Sequence, residues 1–169
     1  MPKFLIIDVD GTLTDGGIYY DSHGNEMKKF NTKDGAGFFI AKAAGIKLII
    51  LTGRESKATL RRMTELKADI IQQNVKDKTA WLKEYMQKSD IAKNEIGYIG
   101  DDVNDLSPMR LCGFVGCPAD ACKEVKALAD YVSPINGGHG AVRDCIEHIL
   151  TESGEWNKYV SIAYGSAGD

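Results

Sequence analysis

Two aspartates near the start of the chain have the residue type and spacing for metal-assisted attack on phosphorus. Asp8 and Asp10 follow the apolar run Phe4-Leu5-Ile6-Ile7, which predicts a buried strand that Gly11 ends. Carboxylates two positions apart at a strand end project to the same side, where like charges resist joint ionisation. A divalent cation would remove that conflict. An aspartate beside a metal can act as a nucleophile while a second carboxylate exchanges protons.

Strand-like and helix-like segments alternate along the chain and predict how these aspartates are positioned. Buried strands are predicted at 4–7, 47–51 and 96–99, short strands at 69–71 and 113–116, and an extended segment at 131–132. Helices are predicted at 34–44, 55–67, 77–88, from 102 to about 111, 121–128 and 141–150. Residues 16–30 predict a β-hairpin around the turn-rich centre 21–25. The pattern predicts one α/β domain over 1–169, Rossmann-like and doubly wound, with a mostly parallel sheet and a tail from about 151.

Polar side chains follow three of the predicted strands at their carboxyl ends. Asp8 and Asp10 follow the first strand, Thr52 follows 47–51, and Asp101 and Asp102 follow 96–99. Ligands of parallel sheets bind beyond the carboxyl ends of the strands. Three segments distant in sequence therefore converge on one predicted site.

Composition and charge exclude several classes of function. The hydrophobic share of 43% and the charged share of 27% are ordinary for a soluble globular protein. The net charge of −3 does not suggest the excess of basic residues that nucleic-acid binding requires. No apolar run approaches the roughly 20 residues of a membrane helix, and the N-terminus lacks signal-peptide features. We expect a cytoplasmic protein with reduced thiols; a zinc site on Cys112, Cys117 and Cys122 is a weaker alternative. The scattered His23, His139 and His148 receive no metal role.

Four motifs resemble those of the haloacid dehalogenase superfamily of phosphohydrolases, in that family's order. They are Asp8-Val9-Asp10-Gly11-Thr12, Leu51-Thr52-Gly53, Lys78 at a helix start, and Gly100-Asp101-Asp102-Val103-Asn104-Asp105. The resemblance implies that Asp8 attacks phosphorus to form an aspartyl-phosphate. Asp10 would protonate the leaving alkoxide and then activate water.

The resemblance also implies how the phosphate and a cation are held. Thr52 would donate a hydrogen bond to a phosphoryl oxygen, and Lys78 would place a cation beside phosphate and Asp8. Mg²⁺, a hard cation that prefers oxygen, would bind the Asp8 carboxylate, the Asp10 backbone carbonyl and Asp101. Asp102 or Asp105 would ligate it directly or support the ligands from behind.

Simpler structural roles compete with these assignments. Asp8 and Asp10 could cap a turn, Thr52 could be a turn residue, and Lys78 could be a solvated charge at a helix start. Asp105 could cap or buttress the following helix. The segment 100–105 could be a calcium-binding loop, but it lacks the full series of oxygen ligands that such a loop supplies.

Spacing argues against a cap domain. The intervals from Asp8 to Thr52 and from Thr52 to Lys78 hold only the hairpin, two helices and a short strand. A phosphoenzyme must be kept from bulk solvent, so either the substrate is a macromolecule or another subunit supplies the lid. The hairpin at 16–30 is placed to be an oligomerisation element; a solvent-exposed flap on a monomer is the alternative.

More specifically, the chain resembles a capless, tetrameric branch of the family that acts on phosphorylated 2-keto-3-deoxy sugar acids. The matching segments are 15–19, 33–35, 51–54, 100–102, 129–132 and 137–143. The resemblance implies a homotetramer acting on 3-deoxy-D-manno-octulosonate 8-phosphate, with nine-carbon 9-phosphates as the alternative. Gly53 and Arg54 would bind substrate, and Arg54 favours the eight-carbon acid because the nine-carbon branch can place an acidic residue there.

Two departures and two other functions stay open at this point. His139 stands where the branch often has arginine, and residues 161–169 only loosely resemble a tail that reaches a neighbouring active site. A catalytically silent oligomerisation domain, as in sialic acid cytidylyltransferase systems, would tend to lose Asp8 and Asp10, which are present here. A capless phosphatase for protein or nucleic acid is the third possibility, and the acidic balance argues mildly against nucleic acid.

Overall fold

The computed structural model describes residues 1–165, which form a layered α/β fold. The strands are β1 (Phe4–Ile7), β2 (Tyr19–Tyr20), β3 (Glu26–Met27), β4 (Lys47–Leu51), β5 (Ile70–Gln72), β6 (Ile96–Ile99), β7 (Phe114–Cys117) and β8 (Tyr131–Val132). The helices are α1 (Thr32–Ala43), α2 (Lys57–Glu65), α3 (Lys78–Ser89), α4 (Leu106–Met109), α5 (Lys123–Leu128), α6 (Ala141–Glu152) and α7 (Trp156–Tyr164). Short 3₁₀ helices span Lys93–Glu95 and Val103–Asp105.

Six parallel strands form the central sheet in the order β5-β4-β1-β6-β7-β8. β1 lies in the middle, where Ile7 is in register with Ile50 of β4 and Ile99 of β6. From β1 the chain winds outward first through β4 and β5 and then, on the other side, through β6, β7 and β8. The strand order therefore reverses beside β1, which is where sheets of this kind bind ligands. The predicted Rossmann-like, doubly wound and mostly parallel sheet is confirmed.

Helices cover both faces of the sheet because successive strand residues alternate between the faces. Leu5 and Ile7 pack into one buried layer, and Ile6 packs into the other. The first layer includes side chains of α1, α2 and α6, among them Phe38, Met63 and Ile146. The second includes side chains of α3, α4 and α5, among them Leu82, Met109 and Val125. Burial on both faces makes β1 rigid, so the residues that follow it have fixed positions.

Three of the helices differ in their bounds from the predicted ones. α1 begins at Thr32 because the side chain of Asn31 accepts a hydrogen bond from the Lys33 N–H at 2.9 Å. α2 begins at Lys57, after Ser56. The segment after Asp102 was predicted as one helix to about 111, but it forms a 3₁₀ turn followed by the short α4.

The hairpin consists of β2 and β3, which pair antiparallel with Tyr19 opposite Met27. Asp21 shapes its turn, since one of its carboxylate oxygens accepts hydrogen bonds from the N–H groups of His23 and Asn25 at 2.8 Å each. Its strands are shorter than predicted. Four large apolar side chains on it are exposed: Ile18, Tyr19, Tyr20 and Met27.

α7 differs from the sequence-based prediction, in which the last helix spans 141–150 and a tail begins at about 151. Gly154, with φ of +71°, ends the turn after α6 and lets the chain return to the protein surface. The side chains of Trp156, Tyr159, Val160 and Ala163 then pack against the α1 side of the core. The guanidinium of Arg143 lies 4.6 Å from the Trp156 ring centre. Of the predicted tail 161–169, residues 166–169 lie outside the described part of the chain.

No helix within residues 1–165 combines the length and the apolar character required to span a bilayer.

Candidate active site

The carboxyl ends of β1, β4 and β6 form the floor of a cleft. Asp8 follows β1, and its N–H donates to the Ile99 carbonyl at 2.9 Å. Thr52 follows β4, and its N–H donates to the Gln72 carbonyl at 3.0 Å. The cleft has a volume of about 180 Å³ and is lined by Asp8, Asp10, Thr52, Gly53, Arg54, Asp101, Asp102 and Asn104. The sheet therefore brings together the residues that the sequence placed at three separate strand ends.

Lys78, the first residue of α3, joins two buried carboxylates. Its Nζ lies 2.9 Å from Oδ1 of Asp8 and 2.7 Å from Oδ1 of Asp105, and all three side chains are buried. Burial alone would lower the pKa of Lys78, but the attraction of the two carboxylates outweighs it and raises that pKa. Lys78 is therefore a fixed cation next to Asp8, and it is not a solvated charge at a helix start.

Asp105 positions Lys78 from behind the cleft. Its side chain is fully buried, and its Oδ1 also accepts a hydrogen bond from the Tyr98 hydroxyl at 2.7 Å. Its Oδ2 accepts one from the Asp101 N–H at 3.2 Å. A Cβ on Gly100 would lie 2.4 Å from that Oδ2, so only glycine permits this approach. These contacts fit the prediction that Asp105 supports the ligands from behind, and its side chain makes no capping hydrogen bond to α4.

Three carboxylates form a group that fits a divalent cation. One oxygen each of Asp8, Asp101 and Asp105 lies within 4.8 Å of the others. Burial, reinforced by the negative charge of Asp105, raises the pKa of Asp8 to about 7. Burial also raises the pKa of Asp101 to about 7. A cation beside the oxygens of Asp8 and Asp101 would relieve both penalties, and carboxylate oxygens suit a hard ion such as Mg²⁺.

Thr12 and Gly11 fix the position of Asp101, although Thr12 had no predicted role and Gly11 was predicted only to end the strand. The Thr12 hydroxyl donates to Asp101 Oδ1 at 2.9 Å. Gly11 has φ of +87°, and a Cβ there would lie 2.1 Å from Asp101 Oδ2. The sequence Gly11-Thr12 after the first strand could have indicated this contact. A glycine lets another side chain approach the backbone closely, and the threonine hydroxyl can donate a hydrogen bond to a carboxylate.

The hairpin contributes two charged side chains to the mouth of the cleft. Lys28 forms an ion pair with Oδ1 of Asp10, and Glu26 Oε1 lies 2.5 Å from Nη2 of Arg54. Lys28 Nζ also lies 3.7 Å from Glu26, and Arg54 Nε lies 3.9 Å from Asp10 Oδ2. The four charges form a closed network. The hairpin was predicted as an oligomerisation element or an exposed flap, and its contribution of charges to the cleft was not predicted.

The remaining predicted residues also lie at the cleft. The buried Thr52 Oγ1 accepts a weak hydrogen bond from the Arg54 N–H at 3.4 Å. Gly53 lies between them. Asp102 is exposed, and its carboxylate accepts a hydrogen bond from the Val103 N–H at 2.8 Å, which starts the 3₁₀ turn. Asp102 therefore caps a turn at the rim.

The cysteines and histidines lie elsewhere. All four cysteines are free thiols, and burial raises the pKa of Cys112 to about 12 and of Cys117 to about 11. Among residues 1–165, Asp8, Asp101 and Asp105 are the one group of three side chains of metal-ligand type that come together. The alternative zinc site is not supported. His148 stacks on Tyr131 with ring centres 3.8 Å apart, and His139 Nε2 lies 3.2 Å from Lys29 Nζ.

Known proteins resemble this chain in both sequence and structure. Residues 67–145 match the haloacid dehalogenase-like hydrolase family. The 3-deoxy-D-manno-octulosonate 8-phosphate phosphatase KdsC of Escherichia coli K12 is 37% identical over 153 residues, which is 90% of this chain and 81% of that protein. The Moraxella catarrhalis phosphatase of the same name, solved with magnesium, phosphate and KDO, has a TM-score of 0.90 at 38% identity and covers 95% of this chain and 92% of its own. The cobalt-bound phosphatase of Haemophilus influenzae has a TM-score of 0.86 at 35% identity and covers 92% of this chain and 91% of its own.

Proposed function

The chain belongs to the haloacid dehalogenase-like hydrolases and, among them, to the family of 3-deoxy-D-manno-octulosonate 8-phosphate phosphatases, and we propose that it removes the phosphate from that eight-carbon sugar acid. It is a phosphoric monoester hydrolase. The observation that carries the proposal is the buried Asp8–Lys78–Asp105 group at the end of the central strand, with Asp10 at the mouth of the same cleft. This arrangement supplies a nucleophile, a fixed cation and a proton carrier within one site.

Asp8 and Asp10 divide the chemistry of the two half-reactions. In the first, an Asp8 carboxylate oxygen bonds to phosphorus as the bond from phosphorus to the sugar oxygen breaks. Asp10, protonated at this stage, gives its proton to that leaving oxygen. In the second, a water oxygen attacks phosphorus and gives a proton to Asp10. The Asp8–phosphorus bond breaks, inorganic phosphate leaves and the Asp8 carboxylate is restored.

Charge on the transferring phosphoryl group has to be stabilised while these bonds change. Lys78 places its ammonium beside Asp8, which limits repulsion between the carboxylate and the incoming phosphate. Thr52, with Gly53, lies at the cleft wall and supplies a hydroxyl donor. Mg²⁺, held by the Asp8 and Asp101 carboxylates and the Asp10 backbone carbonyl, would neutralise phosphate charge. Asp105, and more distantly Asp102, support this arrangement from outside the ligand set.

A panel of phosphate esters tests the proposal. Phosphate release is measured with 3-deoxy-D-manno-octulosonate 8-phosphate, nine-carbon 2-keto-3-deoxy sugar acid 9-phosphates, a phosphopeptide and 4-nitrophenyl phosphate, each with Mg²⁺ and with EDTA. We expect the highest kcat/KM for the eight-carbon acid and background rates in EDTA. A higher kcat/KM for a nine-carbon ester would reverse the substrate order. Activity on the phosphopeptide alone would replace the sugar acid by a macromolecular substrate.

Arg54 supports the choice of a substrate that carries a carboxylate as well as a phosphate. Its guanidinium lies at the mouth of the cleft and already binds a carboxylate, that of Glu26. A guanidinium binds carboxylates through paired hydrogen bonds, so the sugar-acid carboxylate can take the place of Glu26. This exchange would place the two ends of the substrate between Arg54 and Lys78.

A homotetramer assembled through the hairpin completes the proposal. Ile18, Tyr20 and Met27 are each more than half exposed, and within residues 1–165 no cap domain covers the cleft. Burial of these side chains between subunits would remove an exposed apolar patch and bring a neighbour near the cleft. Light scattering on the wild-type protein and on Tyr20→Lys measures the assembly. A wild-type monomer that remains fully active on dilution would contradict it.

A single domain over 1–169 in a cytoplasmic setting is the simplest organisation for this function. The hairpin at 16–30 acts as a flap, and α7 packs against α1, which ties part of the 151–169 segment to the same core. Urea unfolding followed by fluorescence of Trp81 and Trp156 tests this organisation, since the two tryptophans lie on opposite faces of the sheet. Coincident transitions support one cooperative unit, and separated transitions would contradict it.

A further inference from the structure

Lys28 is a buried cation on an otherwise exposed hairpin. Its side chain is 2% exposed, although its neighbours Met27 and Lys29 are exposed. Lysine is almost never buried to this extent without a charged partner, because desolvation of an ammonium is costly. The partners are Asp10, with which it forms the closest contact, and Glu26 at 3.7 Å. The hairpin therefore directs one charged residue specifically onto the aspartate that the proposed mechanism uses as acid and base.

The contact involves one oxygen of Asp10 and leaves the other available. Lys28 Nζ binds Oδ1, and within residues 1–165 no other side chain hydrogen-bonds to the Asp10 carboxylate. Oδ2 lies 3.9 Å from Arg54 Nε, which is beyond hydrogen-bond distance. Asp10 lies in the turn after β1, where its carboxylate would otherwise turn about its side-chain bonds. Lys28 removes that freedom.

We propose that Lys28 is a positioning residue for the proton transfers of Asp10, which it orients by holding Oδ1 so that Oδ2 exchanges the proton. The inference rests on the proposed phosphatase function. In the first half-reaction the proton passes from Asp10 Oδ2 to the sugar oxygen as its bond to phosphorus breaks. In the second, a proton from the attacking water returns to the same oxygen. Lys28 keeps its own proton throughout, so no additional reactant enters.

Dependence on the leaving group separates this role from simple structural support. An alkoxide leaving group needs the proton of Asp10, whereas a 4-nitrophenolate leaves without it. Phosphoenzyme formation from both kinds of ester is followed in single-turnover experiments on the wild type, Lys28→Met and Lys28→Arg. For Lys28→Met we expect a loss of about 10- to 100-fold with the alkyl ester and less than about 3-fold with the aryl ester. Lys28→Arg, which keeps a cation at Oδ1, is expected to recover most of the loss.

Lys29→Met is the matched control, because this neighbouring lysine is exposed and pairs with Asp15 instead of with Asp10. It is expected to match the wild type with both esters. Equal losses for Lys28→Met with the alkyl and the aryl ester would overturn the inference, since they would indicate a general disturbance of the site. If Lys28→Met does not fold, Lys28→Gln makes the same comparison with the charge removed and a donor retained.

A double-mutant cycle with Asp10→Asn gives a second, independent readout. If Lys28 acts through Asp10, adding Lys28→Met to Asp10→Asn is expected to change the alkyl-ester rate by less than about 2-fold. Full additivity of the two losses would overturn the inference while leaving the phosphatase function intact. A wild-type protein that releases phosphate from no ester in the panel would instead contradict the proposed function, and the inference would fall with it.

Discussion

Arg54 Nη2 lies 2.5 Å from Oε1 of Glu26, so a guanidinium next to the nucleophile's strand is held by a carboxylate of the hairpin. Glu26 also neighbours Lys28; partial burial opposes the ionised form of Glu26, but the Ser56 hydroxyl and the cations of Lys28 and Arg54 outweigh burial and lower the pKa of Glu26. Glu26 is therefore ionised at neutral pH. A substrate carboxylate that binds Arg54 has to displace it.

Arg54→Ala is expected to lower kcat/KM for the eight-carbon sugar acid phosphate by about 10- to 100-fold, which corresponds to roughly 1.4–3 kcal/mol. The reason is the loss of a charge-assisted contact to the substrate carboxylate. Steady-state phosphate release provides the measurement, and 4-nitrophenyl phosphate, which has no carboxylate, is the control substrate. A similar loss with both substrates would place Arg54 at the phosphate.

Glu26→Gln tests the same contact from the other side. Removing the competing charge is expected to lower KM for the sugar acid phosphate by about 3-fold. This factor is in keeping with the roughly 0.2–1 kcal/mol that an ion pair near the surface contributes. KM for 4-nitrophenyl phosphate is expected to stay unchanged. A raised KM for the sugar acid would mean that Glu26 orients Arg54 for binding and does not compete for it.

Tyr98→Phe is expected to destabilise the protein by about 1–3 kcal/mol, because Asp105 loses a buried hydrogen-bond donor. Urea unfolding measures the change: the midpoint urea concentration should fall, while the dependence of the free energy of unfolding on urea concentration stays the same. Tyr85→Phe is the matched control, since the Tyr85 hydroxyl makes no hydrogen bond within residues 1–165. If both variants shift the midpoint equally, the Tyr98–Asp105 contact does not stabilise the fold.

Mg²⁺ is expected to raise the thermal midpoint in the absence of substrate. At a hundredfold excess over Kd, binding adds roughly 2.7 kcal/mol, or about 5–10 °C for a domain of this size. Asp101→Asn removes a carboxylate of the acidic group and is expected to abolish most of this shift. Asp90→Asn, an exposed carboxylate at the end of α3, is the control and should retain it. An undiminished shift in Asp101→Asn would exclude Asp101 as a ligand.

Asp34 makes stability depend on pH in a predictable direction. Its Oδ1 accepts a hydrogen bond from the backbone N–H of Arg143 at the start of α6, and its Oδ2 has no hydrogen-bond partner within residues 1–165. Burial raises the pKa of Asp34 from 3.8 to about 6. Because the folded-state pKa is the higher one, the fold favours the protonated acid. Its contribution is complete below about pH 4 and is lost as the pH rises through 6, a change of about 3 kcal/mol.

Asp34→Asn is expected to remove this dependence. Urea unfolding at several values between pH 4 and pH 7 compares the variant with the wild type, so that other titrating groups cancel. The free energy of unfolding of the wild type should fall by about 2.4 kcal/mol relative to the variant across this range, since a small part of the total change already lies below pH 4. A constant difference would show that Asp34 is ionised in the folded protein throughout.

The sequence predicted the parts of the site that depend on strand ends, and it missed the parts that depend on three-dimensional contacts. Asp8, Thr52 and Asp101 each follow a clear apolar strand, and the parallel sheet then requires them to converge. The contact of Lys28 with Asp10 depends on how the hairpin folds back, which periodicity does not encode. The same holds for Tyr98, whose strand position indicated burial but not its partner Asp105.

α7 was missed for a different reason. Its nine residues include only part of an apolar face, and Ile162 and Tyr164 point away from the core. Short helices gain most of their stability from packing, so their own sequence signals them weakly. The turn at Gly154 and the contact between Arg143 and Trp156 secure the helix through residues outside it.

The central claim is that Asp8 carries the phosphoryl group, and phosphate release by Asp8→Asn tests it most directly. The assay uses 3-deoxy-D-manno-octulosonate 8-phosphate with Mg²⁺, with the wild type and Asp90→Asn as references and circular dichroism to verify folding. We predict that Asp8→Asn falls by at least about 10³-fold, to near background, because an amide is a poor nucleophile and a poor ligand. Turnover by folded Asp8→Asn within about tenfold of the wild type would contradict the mechanism.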